Sequence, residues 1–193
     1  MKSNARNTKG RIISAAWKLF YEQGYDDTTI EDIVSLSETS KGSFYHYFEG
    51  KDDLMNSLSY VFDEKYGEIM DEIDCDMNSF DKLMYINKVL FEMIENSISL
   101  DLLTRLYSSQ LVTKGNRSLL DHNRAYYKVL RSIVKDGQNK GEISDDFTVS
   151  EIVKAYALCE RGILYDWCLC GGEYSLRDYS VKHMPMLMKS YKK

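Results

Sequence analysis

The chain has 193 residues, a formal net charge of −5 and four cysteines. This length suffices for a substantial core in one or two domains, and the negative charge argues against a protein that coats nucleic acid without sequence preference. The cysteines are too few for a disulfide scaffold, and no apolar run is long enough for a membrane span or a secretory signal, so we expect a cytoplasmic protein with no membrane partner.

A single proline and scarce strand-like alternation predict an all-α fold. The first helix is predicted over residues 8–23, with Gly24 suited to end it. Its buried stripe is formed by Ile12, Ala16, Leu19 and Phe20. Basic residues precede the first acidic one: Lys2, Arg6, Lys9, Arg11 and Lys18. This local positive charge suits an arm that contacts DNA phosphates or the minor groove, and a solvated tail is the alternative.

Residues 28–51 predict two short helices joined by a tight turn. Thr28 is the expected N-cap of the first, with Glu31 completing a capping box, and Ser40 is the expected N-cap of the second. Phe44 and Phe48 share the buried face of the second helix. Its other faces carry Lys41, Ser43, Tyr45, His46 and Tyr47. Such polar, basic and aromatic side chains suit base edges and phosphates, so the pair is interpreted as a helix-turn-helix.

Residues 10–55 resemble the DNA-binding domain of the TetR family of transcriptional regulators. Four motifs carry the resemblance in order, namely Ile12-Ile13-x-Ala15-Ala16-x-x-Leu19-Phe20-x-x-x-Gly24-Tyr25, Thr28-Thr29-Ile30-x-x-Ile33, Ser40-Lys41-Gly42-Ser43-Phe44-Tyr45-x-Tyr47-Phe48 and Lys51-x-x-Leu54. The resemblance implies a DNA-binding domain over residues 1–50 and a helical effector-binding and dimerisation domain over residues 51–193.

The resemblance also implies roles for individual residues. Base recognition is expected from Ser40, Lys41, Ser43, Tyr45 and His46, with Gly42 allowing close approach to DNA. Thr28, Tyr47 and Lys51 are expected to be phosphate contacts or positioning groups. The turn departs from the family, since Ser37-Glu38-Thr39 stands where Ala-Gly-Val is usual. Glu38 must therefore either adopt a positive φ or form a different turn.

The rest of the chain predicts further helices over residues 51–73, 79–96, 99–112, 117–139, 149–169 and 175–191, with Pro185 expected to kink or divide the last. Residues 114–116 are expected to interrupt the helical structure before the helix that begins at 117. The helices at 117–139 and 149–169 are interpreted as apolar over more than one stripe. In the family such a pair forms a four-helix interface with a second copy, so we expect a homodimer. The alternative is that both faces pack inside one large domain.

The resemblance further implies a cavity for an unknown small-molecule effector, enclosed by the middle and C-terminal helices. Tyrosine offers an apolar body with one polar group, which suits an apolar or aromatic ligand. The candidate ligand-binding residues are Tyr66, Tyr85, Tyr107, Gln110, Tyr126, Tyr156 and Trp167. Arg105 is a further candidate polar anchor.

No catalytic constellation, cofactor or metal site is expected. Cys159, Cys168, Cys170 and His183 lack the usual zinc-ligand spacing, and packing is the favoured role of the cysteines. The leading hypothesis is a ligand-responsive repressor that binds a palindromic operator as a homodimer. The alternative is an adaptor of the same fold that holds another polypeptide, with DNA binding secondary.

Overall fold

The computed structural model describes residues 2–55, 57–112 and 117–193. Within them the only strand-like feature is one isolated bridge between Ile143 and Lys192, so the predicted all-α fold is confirmed. The helices are α1 (Lys2–Glu22), α2 (Ile30–Leu36), α3 (Lys41–Tyr47), α4 (Lys51–Met55), α5 (Leu58–Glu72), α6 (Ser79–Ser97), α7 (Leu100–Val112), α8 (Ala125–Lys140), α9 (Val149–Leu169) and α10 (Leu176–Leu187), with 3₁₀ turns at Ser118–Leu120 and Lys189–Tyr191.

The chain divides into two compact units. The first unit comprises Met1–Ser59 and Asp101–Leu119, and the second unit comprises Tyr60–Leu100 and Leu120–Lys193. These units are defined by how compactly the chain packs and not by function. The boundary expected between the DNA-binding domain and the effector-binding domain, at residues 50 and 51, therefore stays a prediction. Among the described residues, no helix combines the length and the apolar character that crossing a membrane requires.

In the first unit, α1 packs against both α2 and α3. The predicted stripe supplies the contact, with Ile12, Ala16 and Phe20 buried, whereas Leu19 is only half-buried. Helix α1 already begins at Lys2, so the basic N-terminal residues belong to a helix and do not form an extended arm. The side chains of Lys2 and Arg6 lie outside the described part of the structure.

The N-cap of α2 is Thr29, so the expectation of Thr28 with Glu31 was wrong by one residue. The Thr29 hydroxyl accepts a hydrogen bond from the Asp32 backbone N–H at 3.1 Å, and the Asp32 carboxylate accepts one from the Thr29 N–H at 2.9 Å. Thr28 cannot fill this role because its buried hydroxyl donates to the Gly24 carbonyl at 2.7 Å. At α3 the predicted cap is confirmed, since the Ser40 hydroxyl accepts from the Ser43 N–H.

The predicted continuous helix over residues 51–73 is divided into α4 and α5. The Ser57 backbone N–H bonds to the Leu54 carbonyl, three residues earlier, and the Ser57 hydroxyl bonds to the same oxygen. The Trp17 indole N–H in turn donates to the Ser57 hydroxyl at 2.9 Å. A serine hydroxyl that competes for a helical carbonyl, held in place by a distant tryptophan, accounts for the break.

In the second unit, α6 packs on α8 and α10, and α9 packs on both α8 and α10. Helix α8 begins at Ala125, so the prediction of a helix from residue 117 was wrong at its start. The buried Arg124 at the N-cap pairs with Asp63 at 2.9 Å, which fixes where the helix begins. The breaker expected at residues 114–116 lies outside the described residues. Gly141 ends α8 with a φ of 73°, a conformation that glycine adopts without a Cβ clash.

The interpretation of residues 117–139 as apolar on more than one side is also wrong. Helix α8 is apolar only where it faces its own unit, and its exposed positions are Lys128, Ser132, Lys135, Asn139 and Lys140. Helix α9 matches its predicted span and keeps exposed apolar side chains at Leu158, Tyr165 and Leu169. Helix α10 continues through Pro185 and ends at Leu187, where the 3₁₀ turn follows.

Candidate nucleic-acid interface and effector-site residues

The exposed face of α3 is the candidate nucleic-acid interface. Phe44 and Phe48 anchor the helix, with 0% and 5% of their surfaces exposed. The opposite side presents Lys41, Gly42, Tyr45 and His46, all exposed. A Cβ atom at Gly42 would meet only the Ser40 hydroxyl, at 3.8 Å, so packing inside the protein does not explain this glycine. The face therefore combines a rigid apolar base with a cation, two aromatic polar groups and room for close approach.

Two of the expected recognition residues also shape the start of α3. The Ser40 hydroxyl caps the helix and lies 3.0 Å from the Ser43 hydroxyl. Ser43 and Tyr47 are half-buried beside the exposed face, and the Tyr47 ring packs edge-on against His46 with centroids 4.8 Å apart. These residues therefore flank the exposed face.

Lys41 is paired with Glu31 of α2 in the free protein, through a salt bridge that joins the two helices of the motif. Both side chains remain mostly exposed, at 59% and 62%. The hydrogen bond to Lys41 lowers the pKa of Glu31, and the same bond raises the pKa of Lys41. The cation expected to contact DNA therefore already has an anionic partner.

The sequence left open whether Glu38, in the turn between α2 and α3, adopts a positive φ or forms a different turn. It adopts a φ of 51°, as a glycine would. The Glu38 N–H bonds to the Ser35 carbonyl and the Thr39 N–H to the Val34 carbonyl, which is the hydrogen-bond pattern of a Schellman motif. The Ser37 and Thr39 hydroxyls lie 2.7 Å apart and brace the turn. The usual turn geometry is thus kept, at a cost of roughly 1–2 kcal/mol for a residue with a Cβ.

Thr28 and Lys51 hold the loop between α1 and α2. The Lys51 ammonium donates to three backbone carbonyls, those of Tyr25 at 2.6 Å, Thr28 at 2.8 Å and Asp26 at 3.3 Å. It also lies 4.3 Å from the centre of the Tyr25 ring. Because an ammonium has only three donors, this geometry favours positioning over phosphate contact for Lys51. The buried Thr28 hydroxyl is likewise engaged within the loop.

The same loop contacts residues whose role sequence reasoning missed. The Tyr25 hydroxyl donates to the Asp52 carboxylate, and burial is the main cause that raises the pKa of Tyr25. Arg105 of α7 bonds to Asp26 at 2.5 Å and to Asp101 at 2.8 Å, and its guanidinium stacks over Tyr25. Arg105 was expected to be a ligand anchor, but it braces this loop in the first unit. No local pattern indicates a pairing across 79 residues.

Three of the predicted ligand-binding residues meet in the second unit. The rings of Tyr66 and Tyr126 lie 5.1 Å apart, and both are buried together with Tyr156. The Tyr126 hydroxyl donates to the Glu160 carboxylate at 2.6 Å, and the Tyr156 hydroxyl donates to the Leu83 carbonyl at 2.9 Å. The three tyrosines are therefore packed around a polar centre.

Glu160 is that centre, and it was not singled out from sequence. Its carboxylate, 4% exposed, also accepts a hydrogen bond from the buried Asn87 amide at 3.0 Å. Burial raises the pKa of Glu160 despite the bonds from Tyr126 and Asn87, because removal from water disfavours the charged form. One sequence signal marks Glu160: it is an acidic residue on the buried face of α9, four positions after Tyr156. We call Glu160, Asn87, Tyr66, Tyr126 and Tyr156 the Glu160 cluster.

The other predicted ligand-binding residues lie elsewhere. Tyr85 lines a separate groove of about 290 Å³ between α6 and α10. Trp167 donates to the Tyr174 carbonyl at 2.9 Å, close to the end of α9. Tyr107 and Gln110 belong to the first unit, where the Gln110 side chain accepts from the Leu119 N–H at 3.2 Å.

The three cysteines and the histidine considered from sequence as metal ligands have different surroundings. Cys159 and Cys168 are half-buried, Cys170 is exposed, and His183 stacks on Tyr179 with centroids 3.8 Å apart. Over the described part of the chain, a different set of residues has ligand atoms close enough together to hold a metal ion. This set is Asp74, Cys75 and Asp76, in an exposed loop. Exposed acidic loops of this kind are common without an ion.

The N-terminal part of the chain matches a known protein family. Residues 12–58 match the family described as bacterial regulatory proteins, tetR family. The HTH-type transcriptional regulator QacR of Staphylococcus aureus is 29% identical over 154 residues, which cover 76% of this chain and 80% of that protein.

Two solved structures share the fold. FadR from Bacillus subtilis in complex with stearoyl-CoA has a TM-score of 0.68 at 21% identity, covering 94% of this chain and 98% of its own. FadR from Thermus thermophilus in complex with lauroyl-CoA has a TM-score of 0.69 at 19% identity, covering 94% and 93%.

Proposed function

Because this chain belongs to the tetR family of bacterial regulatory proteins and is a DNA-binding transcriptional regulator, we propose that it is a ligand-responsive repressor acting as a homodimer on a palindromic operator. The observation that carries the proposal is the exposed face of α3, where Lys41, Gly42, Tyr45 and His46 stand on a buried phenylalanine base. A short helix with such a face fits the major groove.

The predicted DNA-binding residues divide into two roles. Lys41, Tyr45 and His46 contact base edges, with Ser40 and Ser43 at the helix start supplying hydroxyls close to the DNA. Thr28, Tyr47 and Lys51 keep the motif in register, through the buried contacts of Thr28, the ring contact of Tyr47 with His46 and the carbonyl contacts of Lys51. Base contacts confer sequence preference, whereas positioning groups act on all sequences alike.

The dimer face is proposed on α9 and α10. Leu158, Tyr165 and Leu169 recur at helical spacing along the exposed side of α9. Helix α10 exposes Val181, Met186 and Leu187. The sequence predicted an interface formed by the helices at 117–139 and 149–169. Because the outer face of α8 is polar, the proposed interface is formed by α9 and α10 instead. A two-fold dimer places two α3 helices one turn of DNA apart, about 34–36 Å, and so reads a palindrome.

The Glu160 cluster is the proposed region of effector response in the second unit. It unites Tyr66, Tyr126 and Tyr156, each with an apolar ring and a polar hydroxyl, around one buried carboxyl group. The two FadR structures contain stearoyl-CoA and lauroyl-CoA, so acyl-CoA of graded chain length is the first effector probe. Release of DNA requires that the effector bind the DNA-free state better than the DNA-bound state.

The test is fluorescence anisotropy of the purified protein on DNA from just upstream of its own coding region, over a salt series. Sequence-specific regulation predicts salt-sensitive binding that survives excess random competitor, and a matching effector then lowers the affinity. Binding that random DNA abolishes leaves a distant operator or the adaptor function, and a search for a protein partner would separate the two.

The homodimer has its own test, sedimentation velocity on the intact protein. Wild type is expected to sediment as two copies, and a Leu158→Glu/Leu169→Glu variant as one, since buried charges destabilise an apolar interface. Ser132→Glu places the same charge on the polar face of α8 and should leave the dimer intact. A wild-type protein that sediments as a single chain would refute the dimer.

A further inference from the structure

The salt bridge between Glu31 and Lys41 links the two helices of the helix-turn-helix across ten positions of sequence. Glu31 lies in the first turn of α2, and Lys41 is the first residue of α3. An acidic residue next to the exposed face of α3 opposes DNA binding by charge alone, because duplex DNA is densely anionic. Its placement against the lysine therefore needs an account other than affinity for DNA.

The two kinds of DNA contact open to Lys41 differ in what they offer. A phosphate oxygen replaces the Glu31 carboxylate by another single anion, so the exchange brings little advantage. A guanine edge offers two acceptors, O6 and N7, in one place, and arginine or lysine paired with them is the commonest specific contact. A guanine edge carries no charge, so its two adjacent acceptors, and not attraction between charges, allow it to compete with the exposed Glu31 carboxylate. Glu31 thus competes better against a phosphate, which only replaces one anion by another, than against a base edge that accepts two hydrogen bonds from the ammonium.

We propose that Glu31 is a specificity-determining residue, which holds the Lys41 ammonium on random DNA and releases it only to a base edge of the operator. The proposal rests on the proposed function, since it requires that α3 meet DNA. On random DNA Lys41 stays paired with Glu31 and neutralises no phosphate. On the operator it changes partner, so that Glu31 lowers non-specific binding more than specific binding.

Salt dependence measures this directly, because each phosphate neutralised contributes about 0.9 to the slope of log affinity against log salt. Glu31→Gln should steepen the slope on a random duplex by about 0.9, one phosphate contact, and leave the operator slope unchanged. The ratio of operator to random affinity falls severalfold. Glu68→Gln removes the same charge from an exposed glutamate paired with Lys65 in the second unit, and should change neither slope.

A double-mutant cycle separates release of Lys41 from a general loss of negative charge. In a Lys41→Gln background, Glu31→Gln should have no further effect on the random-DNA slope. An equal effect with and without Lys41 would show that Glu31 merely repels DNA, and would overturn the proposal. An unchanged slope in the single variant would overturn it as well.

The outcomes also separate this proposal from the function on which it rests. If wild type binds its operator specifically and the cycle shows no coupling, only the role of Glu31 is refuted. If no form of the protein binds DNA, both the repressor function and the role of Glu31 are refuted.

Discussion

The ammonium nitrogen of Lys51 lies 2.8 Å from the carbonyl oxygen of Thr28, so the first residue of α4 fixes the loop that leads into α2. Lys51→Met keeps the apolar stem and removes the charged donors. We expect a loss of about 1.5–3 kcal/mol of unfolding free energy, typical of hydrogen bonds to a charged group, and an unchanged salt slope of DNA binding. Urea unfolding and a salt series test both. A slope reduced by about 0.9 would identify a phosphate contact instead.

Tyr45 is expected to contribute more to base recognition than to stability, because 57% of its surface is exposed. Tyr45→Ala should weaken operator binding by about 1–3 kcal/mol and relax sequence preference. Tyr21 on α1, exposed to 63%, provides the matched control, and Tyr21→Ala should leave operator affinity unchanged. Competition anisotropy measures both, and equal effects of the two variants would contradict the assignment of the α3 face.

Glu38 should be replaceable by glycine with a gain in stability, since glycine adopts its φ of 51° without a Cβ clash. Glu38→Gly is expected to raise the unfolding free energy by up to about 1 kcal/mol, the relief being partly offset by the freer unfolded chain. Glu38→Val should lower it, because a β-branched residue is poorly tolerated at positive φ. Urea unfolding of the three proteins gives the order, and a valine variant as stable as wild type would contradict it.

Gly137 is required by packing, since an added Cβ would lie 2.7 Å from both Ile143 Cδ1 and Ser79 Cβ. Gly137→Ala should therefore cost about 1–3 kcal/mol despite the better helix propensity of alanine. Gly67 on α5 has open space around the same position, so Gly67→Ala should stabilise by about 0.5–1 kcal/mol. Thermal unfolding distinguishes them, and two variants that shift in the same direction would contradict the close contact.

Glu160 should make stability depend on pH. Because its pKa is raised in the folded state, the native protein holds more protons than the unfolded chain from the ordinary value of 4.5 up to the raised value. The contribution of Glu160 to stability is therefore present below this window and is lost as pH rises through it. Glu160→Gln cannot titrate, so it should become more stable relative to wild type with increasing pH. Urea unfolding over a pH series tests this, with Glu68→Gln as control. A constant difference between Glu160→Gln and wild type would contradict it.

Local sequence patterns were enough for most helices and for the position of the motif. Ser40 and Gly141 mark helix ends because a side-chain hydroxyl or a residue without Cβ acts on backbone groups within a few positions. Phe44 and Phe48 mark a buried face because helical periodicity is a short-range property. The same patterns placed the α2 cap one residue early, since Thr28 and Thr29 differ only in what the folded loop does with them.

The sequence by itself therefore determined the helical class, the family motif and the residues presented by α3. Only the tertiary structure decided that Lys51 binds loop carbonyls, that Arg105 braces Asp26 and that Glu160 lies among tyrosines. These contacts join residues 23 to 79 positions apart along the chain. A single sequence carries no local signal for such pairings, because the free energy that selects them arises from burial and from partners that meet only when the chain has folded.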